Sequence, residues 1–166
     1  MPAVTDTPVP PASLLGRLAA ERHAFADAYT LRLPRRVSLG EFVEAFYTTR
    51  LFKLERWLIA RAGRPSSDAE VRALAQDADV RMAMWTVQAR TASELLMHED
   101  SGVTRSWFQV GAEEGGTTLW FGSAFMPRHP PALGEKPRFS ASFHVLLGFH
   151  RAYSRALLRA AARRLG

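Results

Sequence analysis

Ser106, Ser123, His150 and Tyr153 each bring a hydrogen-bonding group to a position whose neighbours at the same structural period are Leu, Met, Phe or Ala. Ligand pockets are mostly apolar spaces with a few convergent polar groups, and this inventory has that character. A neutral imidazole at His150 suits a general base or a pH-sensitive hydrogen-bond donor. The phenol of Tyr153 and the two serine hydroxyls can each donate and accept. With Met97, Phe108 and Phe121 as apolar walls, the candidate ligand-binding set is Met97, Ser106, Phe108, Phe121, Ser123, His150 and Tyr153. The competing reading is structural: the serines bond each other, Tyr153 and His150 bond backbone carbonyls, and the space is filled, since a buried polar group needs only a partner.

Other chemistries find less support. His98, His129, His144 and His150 show no ligand spacing with a carboxylate on a shared face, and six residues separate His144 from His150 around a helix, so no metal and no cofactor is expected. Glu94, Glu99 and Asp100 cluster beside a turn, where charges are usually solvated. There is no Gly-rich phosphate loop, nucleophile elbow or dinucleotide fingerprint. No residue is therefore assigned as catalytic.

The elements that must position these residues centre on Val103 to Met126, which reads as two strands joined at Glu113-Glu114-Gly115-Gly116. Any even-numbered connection puts Phe108, Val110, Leu119, Phe121 and Phe125 on one face and Trp107, Gln109, Trp120 and Met126 on the other. A preceding strand, Glu94 to Glu99, turns at Asp100-Ser101-Gly102. It adds Leu95 and Met97 to the Phe108 face and Glu94, Leu96 and His98 to the Trp107 face with Arg105. Ser106 and Ser123 are then the polar interruptions of an apolar face and lie opposite or diagonal to each other.

Upstream, Ser13 caps a helix to about Arg22, and Ala28 to Leu33 alternates as a strand that stops at Pro34. Ser38-Leu39-Gly40-Glu41 is a capping-box spacing ahead of a strong helical pattern ended by Gly63 and Pro65, with Thr48-Thr49 a weak point inside it. A second box, Ser67-Asp68-Ala69-Glu70, starts a helix to about Gln76. From Arg81 the period becomes two, with Ala83, Trp85, Val87 and Ala89 on one face of a strand. Pro127 to Ser140 is a proline-rich connection of the kind that covers an edge or end. Ser140 or Ser142 caps a final helix, roughly 35 Å long, with Phe143, Leu146, Leu147, His150, Tyr153, Leu157 and Ala161 as its apolar stripe and Arg151, Arg155, Arg159 and Arg163 as its wet ridge. The order is strand, two helices, antiparallel strands, long helix, which is an α+β domain with the last helix against the apolar sheet face.

Composition bounds the rest. At 166 residues and 47% hydrophobic, the chain supports one globular domain. Cysteine is absent, which excludes disulfides and thiolate chemistry and fits a reducing compartment. No basic segment leads into an apolar run at the N-terminus and no stretch is long enough to span a bilayer, so the expected location is cytoplasmic, without membrane attachment. The net charge of +6 arises from Lys136 onward, where there are seven basic residues and no acidic ones. Basic residues at a helix C-terminus complement its dipole, and no nucleic-acid module accompanies them, so no specific nucleic-acid partner is expected. Residues 1–12 carry four prolines and little large apolar surface, and they read as a disordered tail.

This order of elements resembles the START-like, or SRPBCC, helix-grip fold. At residue level it is similar to an uncharacterised bacterial family near that superfamily, through Phe25-Ala26-Asp27-Ala28-Tyr29, Arg105-Ser106-Trp107-Phe108, Gly116-Thr117-Thr118-Leu119, Phe149-His150-Arg151 and Arg155-Ala156-Leu157-Leu158. The resemblance implies a single domain over 13–166, in which a curved sheet wraps the long helix around a hydrophobic cavity. The function it implies is binding of a small hydrophobic or amphipathic molecule in that cavity. Two alternatives stand beside it: an enzyme of cyclase, dehydratase or hydrolase type acting through His150 or Tyr153, and an interaction protein that forms a homodimer through the Trp107 and Trp120 face or meets an anion through the Arg ridge.

Overall fold

The computed structural model describes residues 3–127, 131 and 141–166, with the backbone alone for 141–145. His129, Ser140, the side chains of Ser142 and His144 and nearly all of the proline-rich connection lie outside the described residues. The elements are β1 (Thr5–Thr7), α1 (Leu14–Arg22), β2 (Phe25–Leu33), α2 (Leu39–Tyr47), α3 (Arg50–Arg61), α4 (Asp68–Ala75), β3 (Arg81–Met82), β4 (Trp85–Arg90), β5 (Glu94–Glu99), β6 (Thr104–Glu113), β7 (Gly116–Phe125) and α5 (Ala141–Leu165). The strands form one antiparallel sheet in the order β1-β2-β7-β6-β5-β4-β3, with α5 packed on it in the helix-grip layout.

Local chemistry accounts for most boundaries. Ser13 accepts from the Gly16 N–H at the start of α1, and both expected capping boxes form, Ser38 with Glu41 and Ser67 with Glu70. The helical pattern after Ser38 divides at Thr48-Thr49. The Thr49 side chain accepts from the Phe52 N–H as the cap of a new helix, so three helices follow β2 rather than two. Gly115, at φ 70, supplies the left-handed residue of a two-residue turn that leaves Glu113 opposite Gly116. From that register every face assignment of β5, β6 and β7 follows as expected: Leu95 faces Phe108, Met97 faces Ser106, and Phe108 faces Phe121.

Two segments depart from the sequence reading. The strand expected from Arg81 is a tight hairpin, because Ala83 takes a positive φ of 54 and reverses the chain between β3 and β4. A register shift between Val87 and Ala89 then puts these two residues on opposite faces. The proline-rich start is not a free tail either. Asp6 pairs with Tyr29 and Thr7 with Ala28, which makes β1 an edge strand.

Arg155 holds that strand down. Its guanidinium donates to both carboxylate oxygens of Asp6, at 2.8 Å for the Nε bond, and lies 5.4 Å from the centre of the Tyr29 ring. The expected wet ridge is thus partly an anchor, with Arg151 likewise over the Phe25 ring at 5.9 Å. Arg155→Gln is expected to speed amide exchange at Asp6 and Thr7 while leaving the global unfolding midpoint in place. Unchanged exchange at these two residues would mean that the strand ladder alone suffices.

The sheet buries both faces. On one, α1 lays Leu15 and Leu18 over Ala28, Leu96, Trp107 and Ala124. Glu94 fixes this helix by accepting from both the Trp107 indole N–H, at 2.8 Å, and the Leu14 backbone N–H, at 2.7 Å. Gly122 allows the close approach: a Cβ there would sit 2.8 Å from the Asp27 carbonyl oxygen and from Leu15 and 2.9 Å from the Trp107 ring. Trp107 is fully buried, so of the pair expected to offer an interaction surface only Trp120 retains partial exposure.

The other face carries the main core, and it is shared. The Phe46 ring sits 4.9 Å from Phe108 and 4.5 Å from Phe121, and Phe42 and Tyr47 also meet Phe108. So α2 covers the centre of the sheet that α5 was expected to cover. The second half of α5 buries Ser154, Leu157, Leu158, Ala161, Ala162 and Leu165. Of its expected apolar stripe, Leu146 stays 60% exposed.

Candidate functional site

One rung of the sheet differs in kind from its neighbours. Met97 faces Ser106, Ser106 faces Ser123, and Ser123 faces Asp27 across β5, β6, β7 and β2. The next rung is Leu95, Phe108, Phe121 and Tyr29, all buried, and Phe46 fills it. Opposite strand residues share a face, so the three small or acidic side chains point inward with the aromatic ones. Ser106 and Ser123 are buried. A serine occupies far less volume than the phenylalanines beside it, so the sheet is lower and more polar along this line than along the Phe108 rung.

Helix α5 brings its polar residues to the same end. His150 Nε2 lies 3.7 Å from Asp27 Oδ1 and 3.4 Å from the Ser154 hydroxyl, and the imidazole stands edge-on to the Phe125 ring at 4.9 Å. Asp27 Oδ2 accepts from the Tyr29 hydroxyl at 2.8 Å, whereas Oδ1 is buried and accepts no hydrogen bond among the described residues. At 3.7 Å the imidazole is too far for a hydrogen bond and close enough for an ion pair once protonated. Burial, reinforced by the Asp27 charge and its hydrogen bond, pushes the Tyr29 phenol well above its ordinary range, so it is a donor to Asp27 and not a titrating group at neutral pH.

A second polar pair sits one helical turn further along. The Tyr153 hydroxyl donates to Glu55 Oε2 of α3, and the Phe149 ring stacks on Tyr153 at 5.9 Å. Burial lifts the Glu55 carboxyl above the usual carboxylate range, against the hydrogen bond from Tyr153 that favours its charged form. Burial, then the Glu55 charge, raises the Tyr153 phenol. Tyr47, pushed up mainly by burial and secondarily by Glu55, donates to Met97 Sδ at 3.3 Å.

Of the residues singled out from sequence, Met97, Phe108 and Phe121 therefore belong to the packed aromatic centre under α2. Ser106 and Ser123 form the polar rung, His150 meets its Asp27 end, and Tyr153 meets Glu55. Sequence reasoning missed Asp27 and Glu55. Asp27 shares the parity of Tyr29, Leu31 and Leu33, so an acid on the inward face of β2 was a signal available in the sequence. Glu55 had none: it lies on a charged helix whose rotation depends on the break at Thr49.

Chemically, the Asp27 and His150 groups can accept, donate or relay a proton. They do not compose a nucleophilic triad, because Ser154 and Asp27 both meet the same imidazole nitrogen, whereas a triad places nucleophile and acid on different ones. Among the described residues no three His, Cys, Asp or Glu side chains are arranged to hold a metal ion. No described helix is long and apolar enough to cross a membrane.

Glu55 predicts a pH dependence with a definite sign. A carboxyl raised in the folded state contributes stability that is fully present below its unfolded value, about 4.3, and is lost as pH rises through the folded value. Asp6, lowered mainly by the Arg155 hydrogen bond, Glu41, lowered mainly by the Ser38 N–H, and Asp68, lowered mainly by Lys53, act oppositely: their contributions are lost as pH falls through their depressed values. Glu55→Gln should flatten the decline in stability above about pH 4.3 while keeping the acid limb. Denaturant midpoints from pH 3 to 8 measure both limbs, and an unaltered slope above the unfolded value would exclude Glu55 as its source.

No family model matches the chain. No curated protein matches it. The solution structure of CalU16 from Micromonospora echinospora is similar over 98% of this chain and 74% of its own, with a TM-score of 0.43 and 13% sequence identity. The crystal structure of the same CalU16 gives a TM-score of 0.32 at 13% identity over 99% of this chain and 92% of its own.

Proposed function

We propose that the protein binds a small hydrophobic or amphipathic molecule between the sheet and α5, with the polar rung Ser106, Ser123 and Asp27 under His150 as the base of the site. The observation that carries this reading is the rung itself. Beside the apolar rung of Leu95, Phe108, Phe121 and Tyr29, the face gives up volume and adds hydrogen-bonding groups along this line, where a helix residue converges on it. Tyr153 with Glu55 adds a polar group further along the helix. The packed rung of Phe108 and Phe121, with Met97, bounds the site on its apolar side, and the bound molecule fills a few hundred Å³ over the polar rung beside His150.

A thermal-shift screen with fatty acids and alcohols, polyketide-type polycycles and aromatic acids tests the reading. A ligand that binds only the folded state raises the melting temperature with its concentration. At least one class is expected to do so, and a uniformly flat screen would overturn the proposal.

The pairing of His150 with Asp27 favours a second reading, an enzyme of cyclase or dehydratase type in which His150 removes or returns a proton and Asp27 steadies the charged imidazole. Turnover of a screening hit by the wild type, absent in His150→Gln with binding retained, would move this reading to first place.

A further inference from the structure

We propose that the polar end of the bound molecule is a hydrogen-bond donor, a hydroxyl or an amine, and not a carboxylate, because the acceptor left without a donor at the seam between the sheet and α5 is the buried Asp27 Oδ1. This inference rests on the binding reading above and narrows its ligand class.

Asp27 offers Oδ1, buried and without a donor among the described residues, while its Oδ2 is already occupied by the Tyr29 hydroxyl. Glu55 is another carboxylate facing α5, engaged by the Tyr153 hydroxyl. Among the described residues, Arg155 and Arg151 are directed elsewhere. Arg155 is taken up by Asp6 at the sheet edge, and Arg151 lies over the Phe25 ring. His150 is the one basic side chain aimed at the rung among the described residues, and it faces Asp27.

Among the described residues an incoming carboxylate would meet no cation but His150, which faces Asp27, and would lose its hydration next to that carboxylate. Like charges and unpaired buried charges are both costly. A hydroxyl or ammonium would instead donate to Oδ1, and for the ammonium the bond is charge-assisted.

Three probes with the same ten-carbon chain, 1-decanol, decylamine and decanoate, separate the possibilities by calorimetric titration of the full chain at pH 8, below their micellar concentrations. Decanol and decylamine are expected to bind, and decanoate at least tenfold more weakly than either. Decanoate binding as tightly as the alcohol would overturn the donor inference while leaving the binding site in place. If all three fail to bind, the binding reading falls together with it. In Asp27→Asn, checked for folding by its melting transition, decylamine should weaken at least fivefold while decanol changes less than twofold. An unchanged decylamine affinity in the folded variant would overturn Asp27 as the partner. Should that variant not fold, the wild-type series decides alone, since it involves no substitution.

Discussion

Truncating Phe121 to alanine is expected to lower the free energy of unfolding by about 3–5 kcal/mol, the range for large aromatic side chains removed from a packed core. Phe121 is 4% exposed and stands in the middle of β7, where Phe108 and Tyr29 flank it on the neighbouring strands. Its ring meets Phe46 at 4.5 Å and Phe108 at 5.3 Å, so the loss is felt by a helix and two strands together. The site cannot collapse easily, because the backbone beneath it is locked by ladders on both sides and the ring above it belongs to α2, whose own apolar surface is almost wholly committed. Equilibrium denaturation measures the effect. Trp120→Ala, next in sequence but half-buried on the opposite face, should cost less. A loss below about 1 kcal/mol for Phe121→Ala would mean that this face is not the core.

That comparison shows why the sheet was readable from sequence. Side chains alternate along a strand, so one turn of known parity at Glu114-Gly115 assigns the faces of β6 and β7, and the turn after Glu99 carries the assignment to β5. The capping boxes at Ser38 and Ser67 were equally legible, because each is a local exchange of hydrogen bonds between residues three apart. What escaped depends on distant partners. Thr5 to Thr7 has no pattern of its own and becomes a strand because β2 offers an edge and Arg155, far along the chain, binds Asp6. Ala83 reverses the chain at a positive φ that glycine or asparagine would have announced and alanine does not.

The candidate site was half legible for the same reason. Ser106 and Ser123 stood out as breaks in an apolar alternation, and their pairing follows from the turn. Phe46 over Phe108 and Phe121 did not, because the helical stripe of α5 was long enough to cover the whole face on its own, and only the actual path of α2 divides the work between them. Asp27 and His150 belong to elements 123 residues apart, and their approach to 3.7 Å is a product of the sheet order that sets β2 beside β7. Polar groups brought together across a fold are the part of a site that local pattern carries least.

Ser123→Phe is expected to abolish binding of any ligand that the wild type accepts, lowering affinity by a hundredfold or more. The substitution puts a ring of the size of Phe121 onto the rung next to it, between Ser106 and Asp27, whose Oδ1 lies 3.7 Å from His150. Two effects follow from the volume added. If the seam holds room for a ligand, the new ring occupies it, apolar surface is buried without displacing packed atoms, and the melting temperature of the free protein stays level or rises. If the seam is closed by side chains already in contact, the same ring is an overpacking substitution, and stability falls by about 1–3 kcal/mol. Ser123→Ala separates size from polarity, since it removes the hydroxyl and leaves the space: it should retain most of the affinity for apolar ligands. Melting temperatures of the three proteins, each with and without a ligand found by screening, measure both effects. Destabilisation by phenylalanine together with no ligand response in the wild type would remove the binding site from the seam, and with it the reason for a serine and acid rung inside an aromatic core.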